Sequence, residues 1–549
     1  MLRYALGYFL GSLLGPLLSP VLRYTPKWLL KTLADFSNGW PWLKKTISAV
    51  MVNRLVNSAP HRPHPWSTAH DYVSWTSLSD HTWSGRHLAA SKRERPKAAD
   101  LQELFRRRNG AQRYCTKSTC LFPAFAQYLT DSILRTRTVP HNAPDADKDL
   151  ARKQNTSTHH LDMCTLYGRL PKQTTQLRAQ NPDVGNRGKL KSQMIRGEEY
   201  APFLFNAYGE IKKEFDELDP PLGVEKVTLS SLQHQSLFAF GGDRTNSATQ
   251  VAMMNTLFLR EHNRVASLIA KAEPAWDDDR VFETTRNTII VLFIKIVVEE
   301  YINHISRMPF RFVADPSFAH YAPWNKPNWI TTEFSLLYRW HSLVPEFIDW
   351  GNQKLPVAGT FMNNQLLLGS GLAKAFTYIS AQKAGRIGAF NTPDALMWTE
   401  ELALKQDATC ELAPYTDYRE FVSLSRPQQF EDISKDPDVI AFLKRSYKSP
   451  DEVDFYVGLF AEDPADDSPL PELMLTMVAI DAFSQAFTNP LLSHRVFYEE
   501  ATFSKIGREI IQSTNTLKDI LIRNVNEPDK PPLESASISM THPNWAYVN

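Results

Sequence analysis

The sequence predicts a mainly α protein, and three observations carry that reading. Residues 246–306 repeat apolar side chains at three- and four-residue spacing, through "TQVAMMNTLFLREHNRVASLIAKA" and then "VFETTRNTIIVLFIKIVVEEYINHI". Alternating apolar–polar runs of the strand type are scarce. No period repeats along the 549 residues, so a solenoid is excluded.

Taken in order, the chain opens on "ALGYFLGSLLGPLLSPVL", residues 5–22, which carry no charge. That run nearly has the length that spans a bilayer, but Gly11, Gly15, Pro16 and Pro20 would break a helix. It has no clear cleavage site, and a signal and an anchor both stay open. Residues 27–58 read as short amphipathic helices in which Trp28, Leu29, Leu33, Phe36, Trp40, Trp42, Leu43, Ile47 and Val50 alternate with lysines. Trp and Lys together suit a membrane surface, with rings at the headgroups and ammonium groups outside. A helical cap packed on the body is the other reading. "HRPHPW" (61–66) breaks the pattern and divides residues 1–60, the N-terminal hydrophobic segment and its helices, from one large body at 61–549.

Within that body, the charged "SKRERPKAA" (91–99) reads as a solvated linker. A helical rhythm returns at 121–134, and 138–158 is polar and loop-like, with a sequon at Asn155. Residues 171–198 read as a long excursion. Pro274 and the acids at 277–279 open the second long helix, with negative charge at its N-terminus as the macrodipole favours. Its middle is apolar nearly all round, so it is buried. Further helices are expected at 333–340, 364–384, 416–424, 436–447, 471–487 and 502–523.

Composition narrows the function. Sixty-one basic residues face 60 acidic ones, so nothing points to nucleic acid. Cys115, Cys120, Cys164 and Cys410 are too few for a disulfide scaffold, and no CxxC pair suggests zinc. Cys115 and Cys120 are close enough to pair in an oxidising compartment; free buried thiols are the expected state.

One apolar stretch poses a chemical question. "EFSLLYRWHSLVPEF" (333–347) holds Tyr338 and His341, three apart and therefore on one face if helical. A histidine in an apolar helix is ordinarily a core residue. Its company points elsewhere. "LFLREHNRV" (257–265), "FETTRNTIIVLFIKIVVEEYINHI" (282–305) and "EFSLLYRWHSLVPE" follow one another with "AHDYVSW" (69–75), "LYG" (166–168), "RGEEY" (196–200), "KAGRIGAFN" (383–391) and "ATFSKIG" (501–507) in order around them. This series resembles the peroxidase–cyclooxygenase superfamily of haem proteins, and within it the cyclooxygenases, from about residue 27 to residue 525.

The resemblance implies a large helical haem-peroxidase, cyclooxygenase-like catalytic domain preceded by membrane-binding helices. It implies that His341 is the proximal ligand of haem iron, that Tyr456 in "VDFYVG" lies near it, and that Tyr338 carries a catalytic radical oriented by Tyr301. The implied reaction is a fatty-acid dioxygenation: the radical takes a hydrogen atom from a polyunsaturated fatty acid and O2 adds, giving a prostaglandin endoperoxide or a linear hydroperoxide. Arg54 in "MVNRLVNS", with Arg62 as its substitute, would pair with the substrate carboxylate. Ile302, Phe334, Trp340 and Ser484 would line an apolar channel. Met308 stands where the family has a constriction tyrosine. On the distal side the family pattern Gln-x-x-x-His becomes Gln127 and Asp131, joined by Arg244, which lies sixteen residues before Arg260. A carboxyl with an ordinary pKa of roughly 3.9 is a poor acid at neutral pH, and it moves protons there only if burial raises that value. His159 and His160 are further candidates to approach the haem. Ser247 replaces the acid that esterifies haem in myeloperoxidase-type enzymes, so one non-covalent haem b per chain is expected. The expected partners are a fatty acid, O2, a membrane surface and a second copy of the chain. A general haem peroxidase and a non-catalytic haem-binding scaffold are the alternatives.

Overall fold

In the computed structural model the described residues are 25–59, 75, 79–108, 110–140, 142–224, 228–465 and 467–547. The uncharged segment 5–22, the boundary at 61–66, Arg62 and all but the last residue of "AHDYVSW" lie outside them. The fold is mainly helical. Its principal elements are α1 (Lys27–Asn38), α2 (Pro41–Val56), β1 (Tyr114–Thr119), α3 (Leu121–Ile133), a hairpin of β2 (Gln193–Ile195) and β3 (Glu198–Tyr200), α4 (Thr249–Ala272) and α5 (Asp278–Ile296). Then come α6 (Thr332–Leu337), a second hairpin of β4 (Phe347–Trp350) and β5 (Gln353–Pro356), β6 (Lys383–Gly385), α7 (Met397–Thr409), α8 (Phe455–Ala461), α9 (Glu472–Phe487), α10 (Glu500–Ser513) and α11 (Leu517–Arg523). β1 and β6 pair antiparallel, as do both hairpins.

The two long helices form the centre. α4 is buried along most of its length, from Thr249 to Ala270. α5 starts as its sequence dictates: the Asp277 side chain accepts from Arg280 N, and Asp278 and Asp279 follow in the first turn. α5 continues into six residues of π-helix, Val297–Ile302. The wider turn disturbs the carbonyl ladder. Asn303 repairs it, donating through Nδ2 to Glu299 O (2.8 Å) and Val298 O (3.3 Å). Tyr301 lies in this π segment, fully buried.

α10 packs along α5. The close approach depends on Gly507, where a Cβ would stand 2.5 Å from Thr288 Oγ1. α2 sends Ala49, Val52 and Val56 into the same core, and Met308 packs with Leu30, Ala34 and Phe310 beneath α1.

Several expectations need correction. The stretch 333–340 is not one helix. α6 is capped by the Thr331 hydroxyl and ends at Leu337, and a separate 3-10 turn follows at His341–Leu343. Pro345 contributes by holding Val344 extended, at φ −82° and ψ 122°. Tyr338 and His341 are therefore not on one helical face. Residues 364–384 form two helices split at Gly371, whose φ is +78°. Residues 502–523 divide between α10 and α11. The "linker" at 91–99 is pinned, not solvated: Arg93 binds Asp454, and Arg95, its side chain 9% exposed, binds Asp407 and Asp454. The excursion 171–198 holds a helix, Pro171–Leu177, and most of the β2–β3 hairpin. All four cysteines are free and buried. Asn155 of the sequon is buried, with its amide on Ile133 O and Ser157 Oγ.

Gly507→Ala should cost about 1–3 kcal/mol through overpacking, read as a lower midpoint in urea. Adding Thr288→Ala should recover part of the loss. A double variant as unstable as the sum of the two singles would show that close approach is not the cause.

Candidate active site

His341 opens the 3-10 turn after α6, with its side chain 18% exposed in otherwise buried surroundings. Nδ1 lies 3.1 Å from Glu400 Oε1 and 3.1 Å from Thr399 Oγ1. Both neighbours stand in the first turn of α7. The Thr399 hydroxyl donates its only proton to Leu396 O, so towards the imidazole it can only accept. A carboxylate also accepts. In the neutral imidazole Nδ1 must therefore carry the ring proton, which leaves the Nε2 lone pair bare. Among the described residues Nε2 has no hydrogen-bond partner.

Glu400 is fully buried. Besides His341 Nδ1, the Thr392 hydroxyl donates to Oε1 at 2.8 Å and the Tyr456 hydroxyl donates to Oε2. Tyr456 is placed by α8, whose N-terminal amide it carries to Asp407 Oδ2 at 2.8 Å. α8 in turn lies on Tyr415, where Gly458 leaves room: a Cβ there would stand 2.2 Å from the ring. Tyr456 thus reaches His341 through Glu400 rather than directly.

Tyr338 ends α6 and turns into an aromatic box. Trp340 stacks on it with ring centroids 4.6 Å apart, and Phe334 meets it edge-on at 4.8 Å. Tyr301 stacks on the Trp340 ring at 6.5 Å, and Trp340 Nε1 donates to Met474 Sδ of α9. The Tyr338 and Tyr301 hydroxyls are both buried, and neither has a well-aligned hydrogen-bond partner among the described residues. They are near enough for each phenol to affect the other's ionisation. Burial, foremost, holds both phenols above their ordinary pKa, so both keep their protons at neutral pH.

The acid expected on the distal side is on α3. Gln127 is exposed, and its Nε2 donates to Asp131 Oδ1 at 2.8 Å. Asp131 Oδ2 is buried without a partner among the described residues. Burial raises the Asp131 pKa to about 7, against the opposing pull of Arg244. Arg244 makes no ion pair with it. Its Nη1 donates to Leu134 O at 2.8 Å, and Asp243 is taken by Arg135.

Arg339 links the two sides. Its Nη2 reaches Ser335 Oγ (3.3 Å) and Gln406 Oε1 (3.4 Å), and its Nε is buried without a partner. Burial, then Arg244, lowers its pKa, while Tyr456, Glu400 and Asp131 oppose that shift. One guanidinium therefore feels both the Asp131–Arg244 side and the Glu400–Tyr456 side. A bare imidazole nitrogen, an orphaned carboxyl oxygen and two arginines close enough to act on one another fit a haem carrying anionic propionates.

The other candidates fall elsewhere. His159 is locked, with Nε2 to His81 O and Nδ1 accepting from Ile330 N, and burial lowers its pKa to about 4. It is therefore no distal base. Burial also lowers the His160 pKa. Ile302 is buried in the π segment. Ser484 is buried on α9, with its hydroxyl donated to Asp481 O. α9 packs against both α6 and α2. Arg54 is half-buried in the last turn of α2, beside Asn53, which bonds Phe318 O and Trp324 Nε1. Sequence reasoning missed Glu400, Thr399, Thr392 and Arg339. Arg339 was visible as a cation inside an apolar run, but "WTEE" carries no sign that Glu400 turns inward.

The family model for animal haem peroxidases matches residues 44–534. Prostaglandin G/H synthase 2 of Equus caballus is 27% identical over 527 residues, covering 92% of this chain and 82% of that protein. Prostaglandin G/H synthase 1 of Rattus norvegicus is 28% identical over 508 residues, covering 88% and 78%. In fold, the chain resembles fatty acid alpha-dioxygenase of Oryza sativa, with a TM-score of 0.66, 16% identity and coverage of 96% and 99%. It also resembles peroxidase A of Dictyostelium discoideum, with a TM-score of 0.65, 19% identity and coverage of 88% and 96%.

The raised Asp131 pKa has a signed consequence. Folding holds the carboxyl protonated above the ordinary range, so its contribution to stability is full below about pH 4 and is lost as pH rises through about 7. Burial also raises Glu300 and Asp407 to about 7, so the Asp131 band is the part of the protonated-carboxyl absorption titrating near pH 7 that the haem-free wild type shows in infrared difference spectra and Asp131→Asn lacks. A band gone by pH 5 would contradict the burial argument.

Proposed function

We propose that this chain, which belongs to the animal haem peroxidase family, is a haem-dependent fatty-acid dioxygenase of the cyclooxygenase type. The observation that carries the reading is the pair at 338 and 341: a buried phenol with an unengaged hydroxyl, three residues from an imidazole with a bare Nε2. A scaffold has no use for both.

His341, oriented by Glu400 and Thr399, would hold haem from one side, and Arg244 and Arg339 would compensate its carboxylates. When bound, haem supplies the oxidising equivalent, drawn from a hydroperoxide, that removes an electron from a nearby phenol. Tyr338 loses that electron with its proton, because the buried phenol does not ionise beforehand. Its oxygen then takes a hydrogen atom from a bis-allylic carbon, and the phenol is restored. O2 adds to the carbon radical. The resulting peroxyl radical takes the hydrogen atom back from Tyr338, so one fatty acid and one O2 become one hydroperoxide and the tyrosyl radical returns. Ring closure to an endoperoxide instead depends on how the substrate chain is folded. Trp340, itself stacked on Tyr301, fixes the Tyr338 ring, and Phe334 keeps its surroundings apolar; Ile302 is proposed to line the channel. Arg54 is the proposed partner of the substrate carboxylate.

A peroxidase half-reaction has support of its own. A carboxyl with a pKa of about 7 is partly protonated at neutral pH, so Asp131 can both take and return a proton, the work of the distal histidine it replaces.

Membrane attachment belongs to the same reading. Trp28 and Phe36 on α1, Trp40 between the helices and Trp42 on α2 are 53–63% exposed, beside Lys31, Lys44 and Lys45. These helices also pack on the body, so cap and membrane face are two sides of one element. Among the described residues no helix is long and apolar enough to cross a membrane.

Haem-loaded protein given arachidonate or linoleate with a trace of hydroperoxide should take up O2, and Tyr338→Phe should abolish uptake. No uptake from protein with a normal haem spectrum would contradict the proposal. Separately, Trp40→Ala with Trp42→Ala should weaken binding to anionic vesicles at least ~10-fold, since each exposed ring loses apolar area to bury. Unchanged co-sedimentation would sink the membrane reading.

A further inference from the structure

The resemblance supplies a tyrosine near the proximal histidine. It does not supply the carboxylate that stands between them here. Glu400 Oε1 receives the Nδ1 proton of His341 at 3.1 Å, and the same oxygen receives the Thr392 hydroxyl at 2.8 Å. The Tyr456 hydroxyl takes the other oxygen. Three donors from three segments converge on one fully buried carboxylate, and each of them can supply its own proton. The Tyr456 phenol is buried too, and burial, then Glu400, holds its pKa far above the ordinary value, so it donates rather than ionises. Every group that faces the carboxyl donates to it, so Glu400 acts only as an acceptor, one hydrogen bond from the imidazole.

We propose that Glu400 is a positioning residue that gives His341 anionic character and so lowers the reduction potential of the iron His341 holds. The inference rests on the reading of His341 as the proximal ligand. A carboxylate on the far nitrogen raises the basicity of a metal-bound histidine. A more basic ligand favours the ferric over the ferrous state. For the dioxygenase reading, the consequence is a resting ferric haem disposed to react with hydroperoxide.

The test is a redox titration of haem-loaded wild type, Glu400→Gln and Glu400→Asp, monitored by absorbance. Glu400→Gln keeps a hydrogen-bond acceptor and removes the charge. It should raise the midpoint potential enough to change the ferrous-to-ferric ratio at fixed potential on the order of tenfold, about 59 mV for one electron. Glu400→Asp, which keeps the charge, should return most of the way to wild type. A merely structural role would move both variants alike or move neither. The iron–histidine stretch of ferrous wild type, measured by resonance Raman, needs no variant. It should lie above that of haem ligated by 2-methylimidazole, and a coincident frequency would overturn the proposal. His341→Ala separates the two levels. If it keeps the wild-type haem spectrum, the ligand reading falls. If it loses that spectrum while Glu400→Gln leaves the potential unchanged, only the role of Glu400 falls.

Discussion

The hydrogen bond from His341 Nδ1 to Glu400 is the constraint on which the rest of the site depends. It fixes which imidazole nitrogen is bare and which way that nitrogen faces. Glu400 can be buried without loss only because His341, Thr392 and Tyr456 saturate it. Those donors come from the turn after α6, the loop before α7, and α8. Asp407, on α7 like Glu400, holds the start of α8, and Arg95 closes the charge balance behind it. Removing any member exposes another to an uncompensated burial, so the groups around Glu400 are expected to behave as one unit.

The break after α6 is what lets one short segment serve two sites. Were residues 332–343 a continuous helix, Tyr338 and His341 would share a face and compete for the same neighbours. The helix stops at Leu337, so Tyr338 is handed to Trp340, Phe334 and Tyr301, while His341 is handed to α7. The π segment makes the complementary adjustment in the long α5 helix, at the residues that include Tyr301.

Much of this was legible beforehand. The helical character of 246–306, the acid-rich start of the second helix at 277–279 and the segment with Tyr338 and His341 follow from spacing and charge, because burial of an apolar face fixes the period. The breaks did not follow. An apolar run such as "SLLYRWHSL" satisfies a helix pattern whether or not the backbone turns in its middle, and only tertiary partners decide. Arg93 and Arg95 look like solvent residues until Asp407 and Asp454 are placed beside them. Asp131 looks like a weak replacement for histidine at its ordinary pKa, and burial, which the sequence does not display, raises that pKa to about 7. Glu400 was invisible for the same reason: only its neighbours distinguish it from Glu401.

The central claim is that Tyr338 is the phenol oxidised at this site. The most direct measurement is freeze-quenched electron paramagnetic resonance of the haem-loaded protein after addition of a fatty-acid hydroperoxide. The account predicts a tyrosyl radical signal in the wild type that persists in Tyr301→Phe and disappears in Tyr338→Phe. The same signal from Tyr338→Phe, or none from wild type with an intact haem spectrum, would contradict it.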